Sequence, residues 1–252
     1  MTKFDVVVEG AGPAGATAAY YLAKQGKSVA LVDRAKFPRE KACGGGLCVH
    51  IEEFDHIVDN WDDFLESKCK RGIVYGPDGL AVDYRQETPF FYNIRRFTFD
   101  NKLVEYAVDA GATLMEGIAV KDFHVTPNEV LTELRDGSTL ESEVIIGAGG
   151  SFDLVARRIR ADEGLPMKWR DEDIATALYF EIEVGREYMD HVYGSERISM
   201  AHIKFQGLDG YGWSFSKDTV LNVGIGCPRS TIRRAKEDNS GWDERQYLLD
   251  YV

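Results

Sequence analysis

A parallel α/β unit interleaved with a mostly antiparallel β-sheet unit is the fold class this sequence predicts. Three observations carry the prediction. A β-branched run, Val6-Val7-Val8, leads into Gly10-Ala11-Gly12-Pro13-Ala14-Gly15 and then an Ala- and Leu-rich segment ending at Gly26. A second apolar run, Ser28 to Val32, closes on Asp33. From residue 174 onward the pattern changes to period-two alternation, in Ala175 to Val184, Ile198 to Phe205, Gly212 to Phe215 and Val220 to Gly226.

Each part of the first unit has a physical task. The valine run suits a parallel strand buried on both faces. Gly10 permits a tight turn, Gly12 lets the backbone approach a pyrophosphate, and Gly15 allows the following helix to pack on the sheet. The helix N-terminus presents N–H groups and partial positive charge to phosphates, and Gly26 is a natural C-terminal stop. Asp33 stands where a carboxylate accepts hydrogen bonds from a ribose diol and repels a 2′-phosphate, which favours FAD or NAD over NADP. Strand, turn, helix, strand and acid in this order make a Rossmann-type dinucleotide fingerprint. Glu9 departs from it, since an apolar residue normally ends the first strand. A carboxyl there carries a desolvation cost, and the expectation is that it weakens cofactor affinity.

The rest of the chain reads as a split organisation. Residues 1–72 and 94–160 form the dinucleotide-binding domain, and residues 73–93 and 174–230 form a substrate-binding sheet domain. Gly76-Pro77-Asp78-Gly79 and Asp136-Gly137 serve as turns. An amphipathic segment from Asp100 to Ala110 reads as a helix, and residues 231–252 as a charged helical tail.

Composition bounds the function. The chain has 252 residues, a formal charge of −12, 44% hydrophobic and 29% charged residues, all ordinary for a globular protein with its own core. The acidic balance and the lack of a basic stripe argue against nucleic acid as a partner; peripheral contact with a membrane stays open. Four cysteines without a CxxC pair, and five histidines without zinc-like spacing, predict no metal site and reduced thiols in a cytoplasmic protein.

After Asp33 the sequence enters Lys41-Ala42-Cys43-Gly44-Gly45-Gly46-Leu47. Further on come Arg96-Phe97-Thr98-Phe99-Asp100, an R-x-x-F-D, then Val144-Ile145-Ile146-Gly147-Ala148-Gly149-Gly150, then Gly210-Tyr211-Gly212-Trp213-Ser214-Phe215. Together with the fingerprint, in this order, they resemble the geranylgeranyl reductase family of FAD-dependent oxidoreductases. That family lies within the flavoprotein group that includes aromatic hydroxylases and flavin halogenases.

The resemblance implies an FAD-binding domain of the GR2 type. Its cofactor contacts would be Gly10 to Gly15, Asp33, Arg34, Cys43 to Leu47, Arg96, Val120, Ala148 and Gly149. It implies Cys43 as a catalytic thiol beside the flavin, and Tyr211, Trp213 and Phe215, which alternate on one strand face, as substrate-binding residues. The activity implied is reduction of C=C bonds in an isoprenoid-like or other apolar substrate, with electrons from NAD(P)H or a ferredoxin-like donor. An FAD monooxygenase of the aromatic hydroxylase group is the second reading, set behind because Gly149-Gly150 replaces that group's Asp-Gly. The third is a truncated, inactive flavin-binding fragment. It follows from the family's later Gly-Asp cofactor segment, which has no counterpart before Val252, about a small domain short of a typical relative.

Overall fold

The computed structural model describes residues 2–239 and 241–252; Met1 and Ser240, which belong to the expected first domain and tail, lie outside the described residues. Two compact units divide the chain: residues 1–40 with 97–168, and residues 41–96 with 169–252.

In the first unit the β-branched runs pair as a parallel sheet in the order Val144–Gly147, Val6–Glu9, Val29–Asp33, Thr113–Glu116. Val7, Val8, Ala30 and Leu31 are fully buried, as strands covered on both faces require. The helix Pro13–Lys24 crosses over between the first two strands and buries Ala16, Ala19 and Ala23, small residues that allow close packing. A second sheet runs Thr2–Lys3, Thr139–Ser142, Val130–Leu134, Val120–Val125. Its Leu134 and Leu140 close an apolar cluster with Val7, Ala30 and Val32. The R-x-x-F-D helix spans Arg96–Asp109 and so begins before Asp100. Asp100 does not start it; the residue is buried within it, its Oδ2 3.1 Å from Nη1 of Arg39.

The second unit is built on a six-stranded sheet in the order Ala175–Glu183, Val220–Pro228, Tyr211–Ser216, Ile198–Ile203, Arg71–Tyr75, Ala81–Arg85. All pairs are antiparallel except Ile198–Ile203 with Arg71–Tyr75. Residues 41–72, grouped from sequence with the dinucleotide half, pack in this unit. Gly46–Cys48 and Leu65–Cys69 pair there with either edge of Phe91–Ile94. The tail is two helices, Arg229–Asp238 and Glu244–Tyr251. Asn239 leaves the helical region, and Asp243 opens the second helix by accepting the Arg245 N–H at 3.2 Å.

Register assigns the faces of the large sheet. Glu181, Asn222 and Phe215 form one cross-strand row, Tyr179, Gly224 and Trp213 the next, and Ala177, Gly226 and Tyr211 a third. All nine share one face, because side chains alternate with period two. The opposite face carries Ile225, packed against Tyr247 and Leu248 of the last helix. No helix among the described residues is long and apolar enough to cross a membrane.

Candidate functional site

The glycine fingerprint folds as a tight turn that leads directly into a helix N-terminus. Gly10 has φ +99°, and a Cβ there would overlap the carbonyl of Ala148. A Cβ at Gly15 would overlap the carbonyl oxygen of Gly10. The turn, the helix start and the Ala148–Gly149 segment therefore approach at backbone distance, which only glycine allows. Gly12 caps the helix without a side chain of its own to bond the first N–H groups, and Pro13 occupies its first turn. Asp33 accepts the N–H of Ala11 and of Ala35, each at 2.8 Å, one on each carboxylate oxygen. Arg34 and Ala14 are exposed. Val120 begins its strand and lays its side chain on the apolar cluster of Val7 and Val32.

Arg39 stands beside this turn, and the motif reading passed over it. Its Nη2 lies 3.7 Å from where a Gly12 Cβ would stand, and its guanidinium sits 5.0 Å over the Phe37 ring. Nη1 is buried and makes no hydrogen bond despite the nearby Asp100 carboxylate. An uncapped helix start, an open Gly12 and a guanidinium with donor capacity left suit a pyrophosphate. The available signal was Pro38-Arg39 in the loop just past Asp33.

Glu9 finds partial compensation. The nearby backbone N–H groups of Leu154 and Val155 favour its carboxylate, but Oε2 stays buried without a hydrogen-bond partner. Burial, then the neighbouring Asp153 carboxylate, push the Glu9 carboxyl above its ordinary range. Between its unfolded and its raised folded value the folded state holds more protons, so stability falls as pH rises. Glu9→Gln is expected to stabilise the protein at neutral pH and to flatten that slope, read by urea unfolding across the acid-to-neutral range. An unchanged FAD dissociation constant in the same variant would confine Glu9 to stability.

In the second unit the Cys43–Leu47 run lies on the sheet face that carries the aromatic residues. Ring atoms of Phe215 and Trp213 lie 2.8–2.9 Å from where a Gly44 Cβ would stand, and the Phe91 ring would overlap one on Gly46. Gly45 has φ +75°, its carbonyl accepts the Ile94 N–H at 2.8 Å, and its own N–H points to Cys43 Sγ at 3.4 Å. Trp213 is buried, Phe215 half-buried beside Phe91 at 5.0 Å between ring centroids, and Tyr211 48% exposed at the far end of the row. The structure thus brings Cys43 to Gly46 together with Trp213 and Phe215, with Tyr211 joined only through the Trp213 ring at 5.6 Å. Arg96 is partly buried as the first residue of its helix.

A polar network backs this run. Asn222 donates to the Cys43 carbonyl at 3.3 Å and to Glu181 Oε1 at 3.0 Å, and accepts the Trp213 indole N–H at 2.8 Å. Lys217 is ion-paired with the same Glu181 oxygen, and its Nζ lies 3.3 Å from where a Gly45 Cβ would stand. From sequence, Lys217-Asp218 looks like an ordinary charged turn and Glu181 like a solvent-facing strand residue. Nothing in their spacing signals burial.

The Thi4 family profile matches residues 1–135, more than half of the chain. The chain belongs to the Thi4 family. The family and its relatives here are FAD-dependent oxidoreductases, and FAD is the cofactor that family uses. The chain is similar to an uncharacterised protein of Methanosarcina barkeri, with 31% identity over all of this chain and 59% of that protein. It is similar to menaquinone reductase of Mycolicibacterium smegmatis, with 30% identity over 93% of this chain and 57% of the reductase. It therefore spans less than two thirds of these relatives' length. Among solved structures, a geranylgeranyl bacteriochlorophyll reductase-like protein of Thermoplasma acidophilum superposes with a TM-score of 0.73 at 23% identity. The match covers 96% of this chain and 63% of that one. The halogenase PltM in complex with phloroglucinol and FAD gives 0.67 at 17% identity, covering 93% and 55%. Both agree with the Rossmann-type α/β fold class.

Proposed function

We propose that this chain carries the cofactor- and substrate-facing part of an FAD-dependent reductase of the geranylgeranyl reductase type, acting in the cytoplasm on C=C bonds of an isoprenoid-like or other apolar substrate. The observation that carries the reading is the Cys43–Gly46 run lying flat on an aromatic sheet face. A backbone stripped of side chains accepts a planar ring, and an aromatic-lined surface suits a hydrocarbon. Similarity to menaquinone reductase, whose name denotes an apolar quinone substrate, supports the same class.

In this proposal residues Gly10 to Gly15, with Arg39, hold the pyrophosphate. Asp33 and Arg34 receive the ribose, while Val120, Ala148 and Gly149 shape the adenosine side. Cys43 to Leu47 and Arg96 meet the ring, and Tyr211, Trp213 and Phe215 border the substrate. When bound, FAD supplies the hydride chemistry, and the protein supplies position and electrostatics. Cys43, whose Sγ already accepts the Gly45 N–H, fixes the turn against which a substrate lies. Trp213, held by Asn222, keeps that wall rigid and dry. The two electrons come from an external donor, NAD(P)H or a ferredoxin-like protein.

The test is the visible spectrum of the purified chain, followed by FAD titration and anaerobic reduction. Flavin bands near ~450 nm at about one FAD per chain, with two-hydrogen mass gain in menaquinone-4 and no oxygen use, are expected. Oxygen uptake stimulated by a phenol would instead select the monooxygenase. A colourless chain that takes up no FAD would leave only an inactive fragment.

A further inference from the structure

One carboxyl group of the first unit has no partner that explains its place. Glu9 closes the strand Val6–Glu9, in register with Val32 and Gly147 on the two flanking strands, neither of which brings a charge. Its side chain reaches the corner where the helix Leu154–Asp162 begins. A Cβ placed on Gly149 would stand 3.5 Å from Glu9 Oε1 and 3.0 Å from Asp153 Oδ2, so two carboxylates converge behind one glycine. They are not equivalent. Asp153 accepts the Gly149 N–H at 2.7 Å on one oxygen and the Ala156 N–H at 2.6 Å on the other. Glu9 Oε2 is buried and has no hydrogen-bond partner. Neutral, that oxygen forgoes a hydrogen bond; ionised, it also forgoes the hydration of a charge. The same corner supports the glycine turn, because the backbone of Ala148 and Gly149 fills the space that a Gly10 Cβ would take.

We propose that FAD binding at this turn is coupled to a proton: Glu9 takes one up as the pyrophosphate arrives, so the protein holds its flavin more tightly in mild acid than in alkali. The inference rests on the reading under Proposed function that Gly10 to Gly15 and Arg39 hold the pyrophosphate. In the binding step the doubly charged pyrophosphate and one proton from solvent join the protein together, and the Glu9 carboxylate becomes a neutral acid. A residue that departs from the fingerprint thereby makes the affinity of the fingerprint adjustable.

The charges at the corner set the direction. In the flavin-free protein burial, then the Asp153 carboxylate, already hold the Glu9 carboxyl above its ordinary range. The backbone of Leu154 and Val155 and the Arg157 guanidinium pull the other way and are outweighed. Asp33, which holds the Ala11 N–H, and Arg39 beside Asp100 are the charged groups bordering the turn itself. The pyrophosphate adds two negative charges and raises the group again. Between its flavin-free and flavin-bound values binding takes up a proton, so affinity falls as pH rises through that interval and levels off above it. Each pKa unit that the pyrophosphate adds is about tenfold in affinity.

Titration calorimetry of the whole chain with FAD, from about pH 5 to about pH 8, reads the coupling twice. The wild type is expected to lose about tenfold in affinity across that range. Its binding enthalpy should also vary with the ionisation heat of the buffer, as proton uptake demands. Glu9→Gln is expected to bind with one affinity throughout, equal to the acid value of the wild type, and without buffer dependence. The histidine of the first unit, His124, is exposed and stays in place in that variant. A slope retained in Glu9→Gln therefore assigns the proton to another group and overturns the proposal. Asp153→Asn keeps a capping oxygen and removes the charge facing Glu9, so the fall in affinity should move to lower pH. A fall that stays where it was in the wild type overturns the assignment as well. Wild-type affinity that is flat with pH sinks the coupling and leaves the pyrophosphate site standing. FAD uptake by neither wild type nor Glu9→Gln at any pH in the range removes the site itself, and the coupling with it.

Discussion

Glu181→Ala is expected to lower folding stability by about 3 kcal/mol at neutral pH, because it strands an ammonium that is almost wholly buried. Among the described residues Lys217 has no second carboxylate in hydrogen-bond contact, and Asn222 offers Glu181 and Cys43 its N–H groups, not a counter-charge. The loss should carry a pH signature. In the variant the folded-state lysine lies further below its unfolded value, so the unfolded chain binds more protons throughout that interval. Stability then rises with pH, and the deficit is greatest in mild acid and shrinks toward the ordinary lysine range. Urea unfolding of variant and wild type from mild acid to alkaline pH measures it. A deficit that is constant with pH would mean lost packing, not a stranded charge.

The second large effect is expected at the fingerprint, where two glycines separate fold from cofactor. Gly15→Ala brings its Cβ onto the Gly10 carbonyl, so helix and turn must part. Overpacking of this kind costs about 1–3 kcal/mol, and the displaced turn should lower FAD affinity about 100-fold. Gly12→Ala differs, since its φ of −70° accepts any residue and the nearest atom to a new Cβ is Arg39 Nη2 at 3.7 Å. Its stability should match the wild type, while the methyl stands where a pyrophosphate would approach and affinity falls at least tenfold, about 1.4 kcal/mol. Isothermal titration with FAD alongside thermal unfolding distinguishes the two. Equal flavin affinity in Gly12→Ala and wild type would remove the pyrophosphate from this turn.

Much of this was legible in the sequence because the relevant forces are local. Val6 to Val8, the glycine turn and Asp33 announce themselves through backbone sterics and periodicity, and the alternation of Tyr211, Trp213 and Phe215 fixes a shared face whatever lies above it. What could not be read depends on partners distant in the chain. Asp100 reads as the start of a helix because it ends the R-x-x-F-D motif, yet it lies buried beside Arg39, one turn into a helix already begun. The strand Gly46–Cys48 is only three residues long, too short to show β-propensity behind Gly44-Gly45, and exists because Phe91–Ile94 offers it a ladder. Lys217 resembles any hairpin lysine, and only the fold decides that its charge is enclosed.

The discontinuity of the first unit has a consequence for how the protein is made. Its parallel-sheet strand Val6–Glu9 acquires its outer neighbour only when Val144–Gly147 has been synthesised. At ribosomal speeds of about 5–20 residues per second, the nascent valine run waits on the order of ten seconds with one edge unpaired. Pairings so remote in sequence also form slowly once the chain is free. The nucleotide-binding turn, first to emerge, is therefore among the last parts to be completed, and nascent chains arrested before residue 144 should be the ones most in need of chaperone cover.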